Sequence, residues 1–277
     1  MLDPKAIEAA TGRTPEVVDD VVKVSYPRDE VKVEIDGWPA PPFMGLTAWA
    51  AFTPSGAGAE AMVMGDMVLF EDEVSEAMSA AFRSGLHVTA LHNHFFFDRP
   101  RVFFMHIAGE GSVDRLGAGV RSILDVMKAV RARSPEPASG FEGPAIPETS
   151  SIDASQLEAV FGLKAATKDG MAKITVGRVT QAENGRRIGS AMGINTWAAF
   201  AGTDDNAVVD GDFAVTEDEL QPVLRALRDG GIHIVAIHNH MVGEKPRILF
   251  LHYWGRGDVT SLATVVKRAV DLTKTGS

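Results

Sequence analysis

The eight histidines of this 277-residue chain fall into two short stretches with the same spacing. One stretch, from Gly85 to His106, reads GLHVTALHNHFFFDRPRVFFMH, and the other, from Gly231 to His252, reads GIHIVAIHNHMVGEKPRILFLH. Ten of the 22 aligned positions are identical. Imidazole binds transition metals and exchanges protons near neutral pH, so a repeated histidine pattern indicates metal or acid–base chemistry.

The two histidines of the HNH motif can share one face of a strand. Side chains two positions apart on a strand point to the same side, which groups His92 with His94 and turns Asn93 away. If position 94 pairs with about position 102 on the returning strand, His106 joins that face one diagonal step from His92. A register shift of one residue would instead turn His106 to the other side of the sheet.

Three imidazoles from two adjacent strands resemble the three-histidine sites of zinc and other divalent-metal enzymes. We therefore predict a divalent metal, with zinc expected, and the predicted ligands are His92, His94, His106, His238, His240 and His252. Asp98 and Glu244 occupy the same position of the two hairpin turns. They are the predicted catalytic carboxylates, because either could complete the coordination or act as a general base on a metal-bound water.

Other polar residues of the repeat have simpler interpretations. His87 and His233 lie an odd number of positions from the HNH pairs, so a regular strand would put them on the opposite face. Asp66 and Asp212 each follow a glycine, which fits a turn as well as a ligand role. Arg101 and Arg247 could clamp an anion, but pairing with surface acids explains them more simply. Metal-free binding of an organic anion and purely structural hydrogen bonding remain alternatives for the histidines.

The elements that must position these hairpins belong to a repeat covering nearly the whole chain. The sequence WAAF at 49–52 returns at 197–200, GD at 65–66 returns at 211–212, and the opening segment 3–12 is echoed by 153–162. Between the copies lies a segment rich in Pro, Gly, Ser and Glu, which is typical of an exposed connector. We predict a first module at 1–133, a linker at 134–150 and a second module at 151–277.

Each module mixes strands and helices in the predicted order βββαββα. Extended segments are expected near Val31–Ile35, Gly45–Phe52 and Ala61–Leu69, a helix from about Asp72 to Arg83, the hairpin, and a long helix from about Val113 to Arg131. This order predicts an α+β fold with antiparallel or mixed sheets. Two similar modules on one chain further suggest a pseudo-two-fold pair, like a homodimer made covalent; the sequence predicts nothing about further oligomers.

Composition excludes several classes of protein. The net charge of −10 argues against a general nucleic-acid surface. The absence of cysteine removes disulfides, thiolate ligands and thiol nucleophiles. No apolar run is long enough to span a membrane, so a soluble chain without a transmembrane segment is expected. The partners expected are a metal ion or a small-molecule ligand.

The pattern WAAF, then GD, then ALHNH…PRVFFMHIAGEG and AIHNH…PRILFLHYWGRG resembles the LppY/LpqO-type bacterial lipoproteins, whose domain has no known function. The resemblance covers both halves and is most specific from HNH through PR to the last histidine. It implies a bacterial protein whose relatives often carry an export leader, but no reaction or cofactor. A periplasmic or cell-surface location would follow if a leader has been removed, and a cytoplasmic one otherwise.

These observations favour a metal-dependent enzyme, with a hydrolase of unspecified substrate as the first hypothesis. The alternative is a non-catalytic, extracytoplasmic protein that binds a metal or a small ligand. Open coordination beside the ion would favour the enzyme, and saturated coordination would favour the binding protein.

Overall fold

A computed structural model of the chain describes residues 1–56 and 58–274. It divides into two compact units, the first at Met1–Phe141 and the second at Glu142–Ser277. Both units mix helices with antiparallel strands, so the α+β class predicted from sequence is confirmed. Residues 134–150, all of which the structure describes, form no helix or strand.

The first unit opens with a short helix and closes with a long one. Its helices are α1 (Pro4–Thr11), α2 (Glu71–Arg83) and α3 (Val113–Arg133). Its strands are β1 (Glu16–Val18), β2 (Val21–Pro27), β3 (Val33–Ile35), β4 (Trp38–Ala40), β5 (Thr47–Pro54), β6 (Ala61–Phe70), β7 (His87–His92), β8 (Asp98–Arg99) and β9 (Val102–Gly111).

The second unit repeats this order. Its helices are α4 (Ala154–Phe161), α5 (Glu217–Asp229) and α6 (Val259–Val270), with a 3-10 turn at Ser190–Met192. Its strands are β10 (Ala166–Lys168), β11 (Met171–Gly177), β12 (Thr180–Gln181), β13 (Arg187–Ile188), β14 (Asn195–Thr203), β15 (Asn206–Val215), β16 (His233–His238) and β17 (Leu249–Gly257).

The strand order gives the returning strand of each histidine hairpin two neighbours. In the first unit the strands lie in the order β1-β2-β5-β6-β9-β7, and their pairings are antiparallel. In the second unit the order is β10-β11-β14-β15-β17-β16, again antiparallel. Strand β9 therefore lies between β7, its hairpin partner, and β6, and β17 lies between β16 and β15.

One face of each sheet is covered by helices and carries the core. In the first unit Val63, Val88, Leu91, Met105 and Ile107 are buried there. Helices α2 and α3 pack on this face. Burying each of these side chains contributes about 1.5–3 kcal/mol, which fixes the parity of β7 and β9 and leaves the alternate residues on the other face.

The predicted order βββαββα is incomplete. It omits β1 and β2, although Val22 and Val24 of β2 alternate with less buried residues as a half-buried strand requires. The segment near Val31–Ile35 does form a strand, but β3 joins a separate small sheet in the order β4-β3-β8. This small sheet ties the hairpin turn of the first unit to the loops before β5.

The helix signals in the sequence match the structure closely. Asp3 and Asp153 are the N-caps of α1 and α4, each accepting a backbone N–H two residues on. The side chain of Glu219 accepts the backbone N–H of Thr216 at 2.9 Å, which is half of a capping box at the start of α5. Within the described residues, no helix has the length and apolar character needed to cross a bilayer.

Candidate metal centre

The first histidine hairpin has the register predicted from its sequence. Ala90 pairs with His106 and His92 pairs with Phe104, so His106 lies one diagonal step from His92 on the face away from the helices. The ring centroids of His92 and His94 are 5.1 Å apart, as are those of His92 and His106. The Nε2 atoms of His92 and His106 are 3.0 Å apart. His92 therefore lies beside both His94 and His106, although the ligand nitrogens of the three do not all come within 4.8 Å of one another.

The second hairpin brings its three imidazoles together more evenly. The ring centroid of His238 lies 5.0 Å from that of His240 and 4.9 Å from that of His252. One ring nitrogen from each of the three lies within 4.8 Å of the others. Among the residues that the structure describes, no other three histidine, aspartate or glutamate side chains are grouped this way.

A phenylalanine on the returning strand holds the outer histidine of each group. His94 and His240 follow the strands β7 and β16, so the ladder does not fix them. Instead the His94 ring stacks on Phe104, with centroids 3.5 Å apart and planes 6° apart. His240 stacks on Phe250 in the same way, at 3.4 Å and 7°. The sequence analysis missed both phenylalanines, although each lies two positions before the last histidine in both copies.

The prediction that His87 and His233 face away from the site was wrong. His87 pairs with Ala108, two positions from His106 on β9, which puts it on the same face as the three histidines. The reason is a β-bulge between Val88 and Ala90, where one extra residue reverses the alternation. The second hairpin has the same irregularity between Ile234 and Ala236.

The carboxylates nearest the histidines come from the neighbouring strand, not from the hairpin turn. Asp66 lies directly opposite His106 in the β6–β9 ladder, and Asp212 lies opposite His252 in the β15–β17 ladder. They are 9% and 5% exposed, and the Oδ1 atom of each is buried without a hydrogen-bond partner. The turn interpretation of these two residues was therefore wrong, because both lie in the middle of long strands.

Burial lowers the pKa values of three of the six imidazoles, which favours the neutral form that binds metals. Burial, followed by the neighbouring charge of His92, lowers the pKa of His94. Burial also lowers the pKa values of His238 and His240. Desolvation raises the pKa of Asp66, and it raises that of Asp212 to about 6, against the opposing charge of His252. The pKa of Asp66 also responds to His106, His94 and His92, which marks the four side chains as one electrostatic group.

The predicted catalytic carboxylates hold the hairpin turns. Asp98 Oδ2 accepts the backbone N–H of Val102 at 2.7 Å, and Glu244 Oε1 accepts that of Ile248 at 3.0 Å. Both side chains are buried, and each turn contains a cis proline, at Arg99-Pro100 and Lys245-Pro246. Their catalytic role stays a prediction, with one carboxylate oxygen of each already committed to the backbone.

The arginines that follow the hairpin prolines pair with surface acids, as predicted. Arg101 lies 4.0 Å from Glu71, and Arg247 lies 3.9 Å from Glu217. All four side chains are exposed, so these pairs contribute little to stability.

The donor set fits a divalent transition metal. Zinc–nitrogen bonds of about 2.0–2.1 Å put the ligand nitrogens of a tetrahedral site roughly 3.3 Å apart. In the second unit all three ligand nitrogens lie within 4.8 Å of one another, at most about 1.5 Å more than that value, and in the first unit the Nε2 atoms of His92 and His106 are 3.0 Å apart. Small side-chain adjustments of the partly exposed His238 and His252 could supply the difference in the second unit, with His240 held on Phe250. Imidazole nitrogens with a nearby carboxylate suit zinc and its neighbours in the first transition row.

Comparisons with known proteins give a family but no activity. The model of the family described as Domain of Unknown Function (DUF1259) matches residues 5–126 and 155–272. No curated protein matches the chain. Among solved structures, a trimeric bacterial microcompartment shell protein, PduB, is similar over 93% of this chain and 89% of its own, at 12% identity and a TM-score of 0.21.

A second shell protein, the double-ringed trimeric MSM0271 of the RMM microcompartment, is similar over 91% of this chain and 98% of its own. Its identity is 9% and its TM-score is 0.21. Similarities this weak identify neither a fold nor a function.

Proposed function

The chain belongs to the family described as Domain of Unknown Function (DUF1259) and contains two tandem copies of its domain, and since that description names no activity, we propose a function from the histidine hairpins themselves. Each copy binds one divalent metal ion, zinc first among the candidates. The ligands are the imidazoles of His92, His94 and His106 in the first unit and of His238, His240 and His252 in the second. The convergence of the second trio within 4.8 Å carries the proposal.

The chemistry proposed for the site is metal-dependent hydrolysis. An ion held by three imidazoles supplies a Lewis acid with a coordination position left for water or substrate. The chain's own residues do the rest: Phe104 and Phe250 orient the outer imidazoles, and the ladders fix the other two. The lowered pKa values of His94, His238 and His240 keep those ligands unprotonated at neutral pH.

Metal content tests the binding proposal. Untagged protein, loaded with zinc and dialysed, should hold two ions per chain by elemental analysis. His238→Gln with His252→Gln should reduce this to one, and the further changes His92→Gln and His106→Gln should reduce it to none. His87→Gln with His233→Gln is the matched control, since these histidines share the face but lie outside the two groups. Untagged wild-type protein that holds no zinc, manganese or copper after loading would refute the proposal.

The reaction class needs a separate experiment. Zinc-loaded protein should hydrolyse members of a panel of activated carboxylic and phosphoric esters, lose the activity on chelation and regain it when zinc is restored. The variant with both histidine groups changed should have no activity at any zinc concentration. Full zinc occupancy with no hydrolysis of any ester would refute the hydrolase proposal, whereas the metal-binding proposal would stand.

The exposure of the outer histidines favours a second candidate, a non-catalytic binding protein. His94 and His240 are both exposed, so an ion could enter and leave directly from solvent. The resemblance to exported LppY/LpqO-type proteins would place such a metal or small-ligand binding protein outside the cytoplasm. Zinc release within seconds to a competing chelator, without hydrolytic activity, would support this candidate over the enzyme.

A further inference from the structure

We propose that Asp66 and Asp212 are the positioning carboxylates of the two sites. Each accepts a hydrogen bond from the Nδ1–H of the histidine opposite it and so aims the Nε2 of that histidine at the metal. This inference rests on the proposed metal function and deepens it, because it assigns residues that the hairpin motif does not contain.

The position of the two carboxylates in the sheet puts each of them beside a histidine. Directly opposed residues of an antiparallel pair have their Cβ atoms about 4.5–5.5 Å apart on one face. Asp66 and His106 are such a pair, and so are Asp212 and His252. The same pairing occurs independently in both units, at strands that are not part of the hairpins.

The imidazoles are oriented with different nitrogens toward the aspartate and toward the other histidines. In the second unit the atom of His252 that faces the carboxylate is Nδ1, which lies 3.9 Å from Asp212 Oδ1. In the first unit the atom of His106 that faces His92 is Nε2. These two nitrogens lie on opposite edges of an imidazole, so a ring with Nδ1 toward the aspartate presents Nε2 to the other histidines.

Both carboxylates have a buried oxygen that accepts no hydrogen bond, which costs free energy. Burying a charged group without a partner is strongly unfavourable. Yet Oδ1 of both Asp66 and Asp212 is buried and unpaired among the residues described. A shift of about 1 Å in the ring of His252 would close the 3.9 Å gap to hydrogen-bonding distance. A zinc ion at Nε2 would leave the proton on Nδ1, the nitrogen that faces the carboxylate.

The consequence concerns both affinity and openness of the site. Carboxylates that hold a ligating histidine raise its basicity and fix its tautomer, and their loss typically lowers metal affinity 10–100-fold. An aspartate whose carboxylate accepts the Nδ1–H of histidine is also not available as a metal ligand itself. The ion would then have three protein ligands and an open position, as hydrolysis requires.

The test uses the second site, in a chain whose first site is removed by His92→Gln and His106→Gln. Zinc affinity is measured by competition with a chromophoric chelator for Asp212→Ala and Asp212→Asn. Asp210→Asn is the control for loss of charge, because Asp210 lies two residues away on the same face, opposite Trp254, and its charge also acts on His252. We expect a 10–100-fold loss for Asp212→Ala, a smaller loss for Asp212→Asn, which keeps an acceptor oxygen, and less than a threefold change for the control.

A second measurement separates positioning from simple structural support. Long-range proton–nitrogen correlation spectra of the metal-free chain should find His252 with its proton on Nδ1, and Asp212→Ala should move the proton to Nε2. An unchanged tautomer, or equal affinity losses for Asp212→Ala and Asp210→Asn, would overturn the inference. If the parent chain binds no zinc, the metal proposal fails by itself, and the tautomer still decides the pairing of aspartate and histidine.

Discussion

The imidazole of His240 lies flat on the ring of Phe250, with the centroids 3.4 Å apart and the planes 7° apart. Phe250 is itself fully buried, and it packs against Ile188, Ile194 and Ile248 on the histidine face of the sheet. A rigid aromatic surface therefore fixes the imidazole of a proposed ligand, which lies beyond the end of its strand. The first unit builds the same contact from His94 and Phe104.

Replacing Phe250 by leucine should separate this orienting role from ordinary packing. The stacking surface is lost, so His240 regains rotamer freedom worth about 0.5–1.5 kcal/mol, or roughly 2–10-fold in zinc affinity. The protein should also lose about 1–2 kcal/mol of stability from the smaller side chain. Zinc titration and thermal melting measure the two effects.

The matched control for that change is Phe200→Leu. Phe200 is equally buried in the neighbouring region of the same sheet, but it pairs with Val209 on the helix-covered side. It should lower the melting temperature similarly and leave zinc affinity unchanged. Equal affinity losses in both variants would show that Phe250 acts only through global stability.

The sequence predicts the hairpin geometry because its information is local. The alternation of His92 and His94, the distance to His106 and the position of Pro100 are enough to place all three imidazoles on one face. The opposite-face prediction for His87 failed because a bulge inserts one residue into β7, and no residue type at 88–90 signals that irregularity.

The part of the site that could not be predicted is non-local. Asp66 reaches His106 only because β6 lies on the far side of β9 from β7. Strand order in a sheet depends on how loops of varied length return, and hydrophobic alternation does not encode it. The repeated Gly-Asp pair was visible in both copies, and the structure shows that its glycine serves close backbone packing in a strand instead of a turn.

Acid should destabilise the chain partly through His233. Burial, with the nearby charge of Arg228, lowers the pKa of this histidine from 6.5 to about 4. The unfolded state therefore takes up the proton first as the pH falls, so the stability is present above pH 6.5 and is lost between 6.5 and about 4. Because the ring is partly exposed, we expect about 1–2 kcal/mol after solvent screening.

Melting curves across that pH interval check the sign. His233→Gln should flatten the fall in melting temperature, whereas His87→Gln, at the matching exposed position of the first unit, should not. A fall of the same steepness in wild type and His233→Gln would assign the acid sensitivity to other groups.

A buried ion pair should support the fold of the second unit without contacting the proposed metal site. Arg178 donates to both carboxylate oxygens of Glu219 through Nη1 and Nη2, and its Nη1 also donates to the backbone oxygen of Ala214 at 3.0 Å. Arg178→Met leaves a buried carboxylate unpaired and should cost about 3–5 kcal/mol.

Adding Glu219→Gln to that variant should recover part of the loss. Glutamine removes the unpaired charge and still accepts the backbone N–H of Thr216, which caps α5. Chemical denaturation measures the recovery, and elemental analysis should find the zinc content unchanged in both variants. A loss of zinc parallel to the loss of stability would contradict the separation of the two roles.

Gly211, which precedes Asp212, should be essential in the second unit, and its replacement should be tolerated better when Tyr253 is changed as well. A Cβ at Gly211 would overlap the hydroxyl of Tyr253, which donates a hydrogen bond to Trp197 O at 3.0 Å. The first unit has Ile107 in place of that tyrosine, and a Cβ at Gly65 meets Trp49 O at 2.8 Å and Ile107 Cγ1 at 3.0 Å, which are milder contacts. Gly211→Ala should therefore destabilise more than Gly65→Ala, by about 1–3 kcal/mol from overpacking.

Because the displaced strand carries Asp212, zinc affinity should fall too. The double variant Gly211→Ala, Tyr253→Ile copies the first unit's side chain at 253 and should recover part of the stability and affinity, since the new Cβ still meets Trp197 O at 2.4 Å. A positive coupling in this double-mutant cycle would show that the tyrosine is the obstacle, whereas additive losses would place the clash at the Trp197 carbonyl alone.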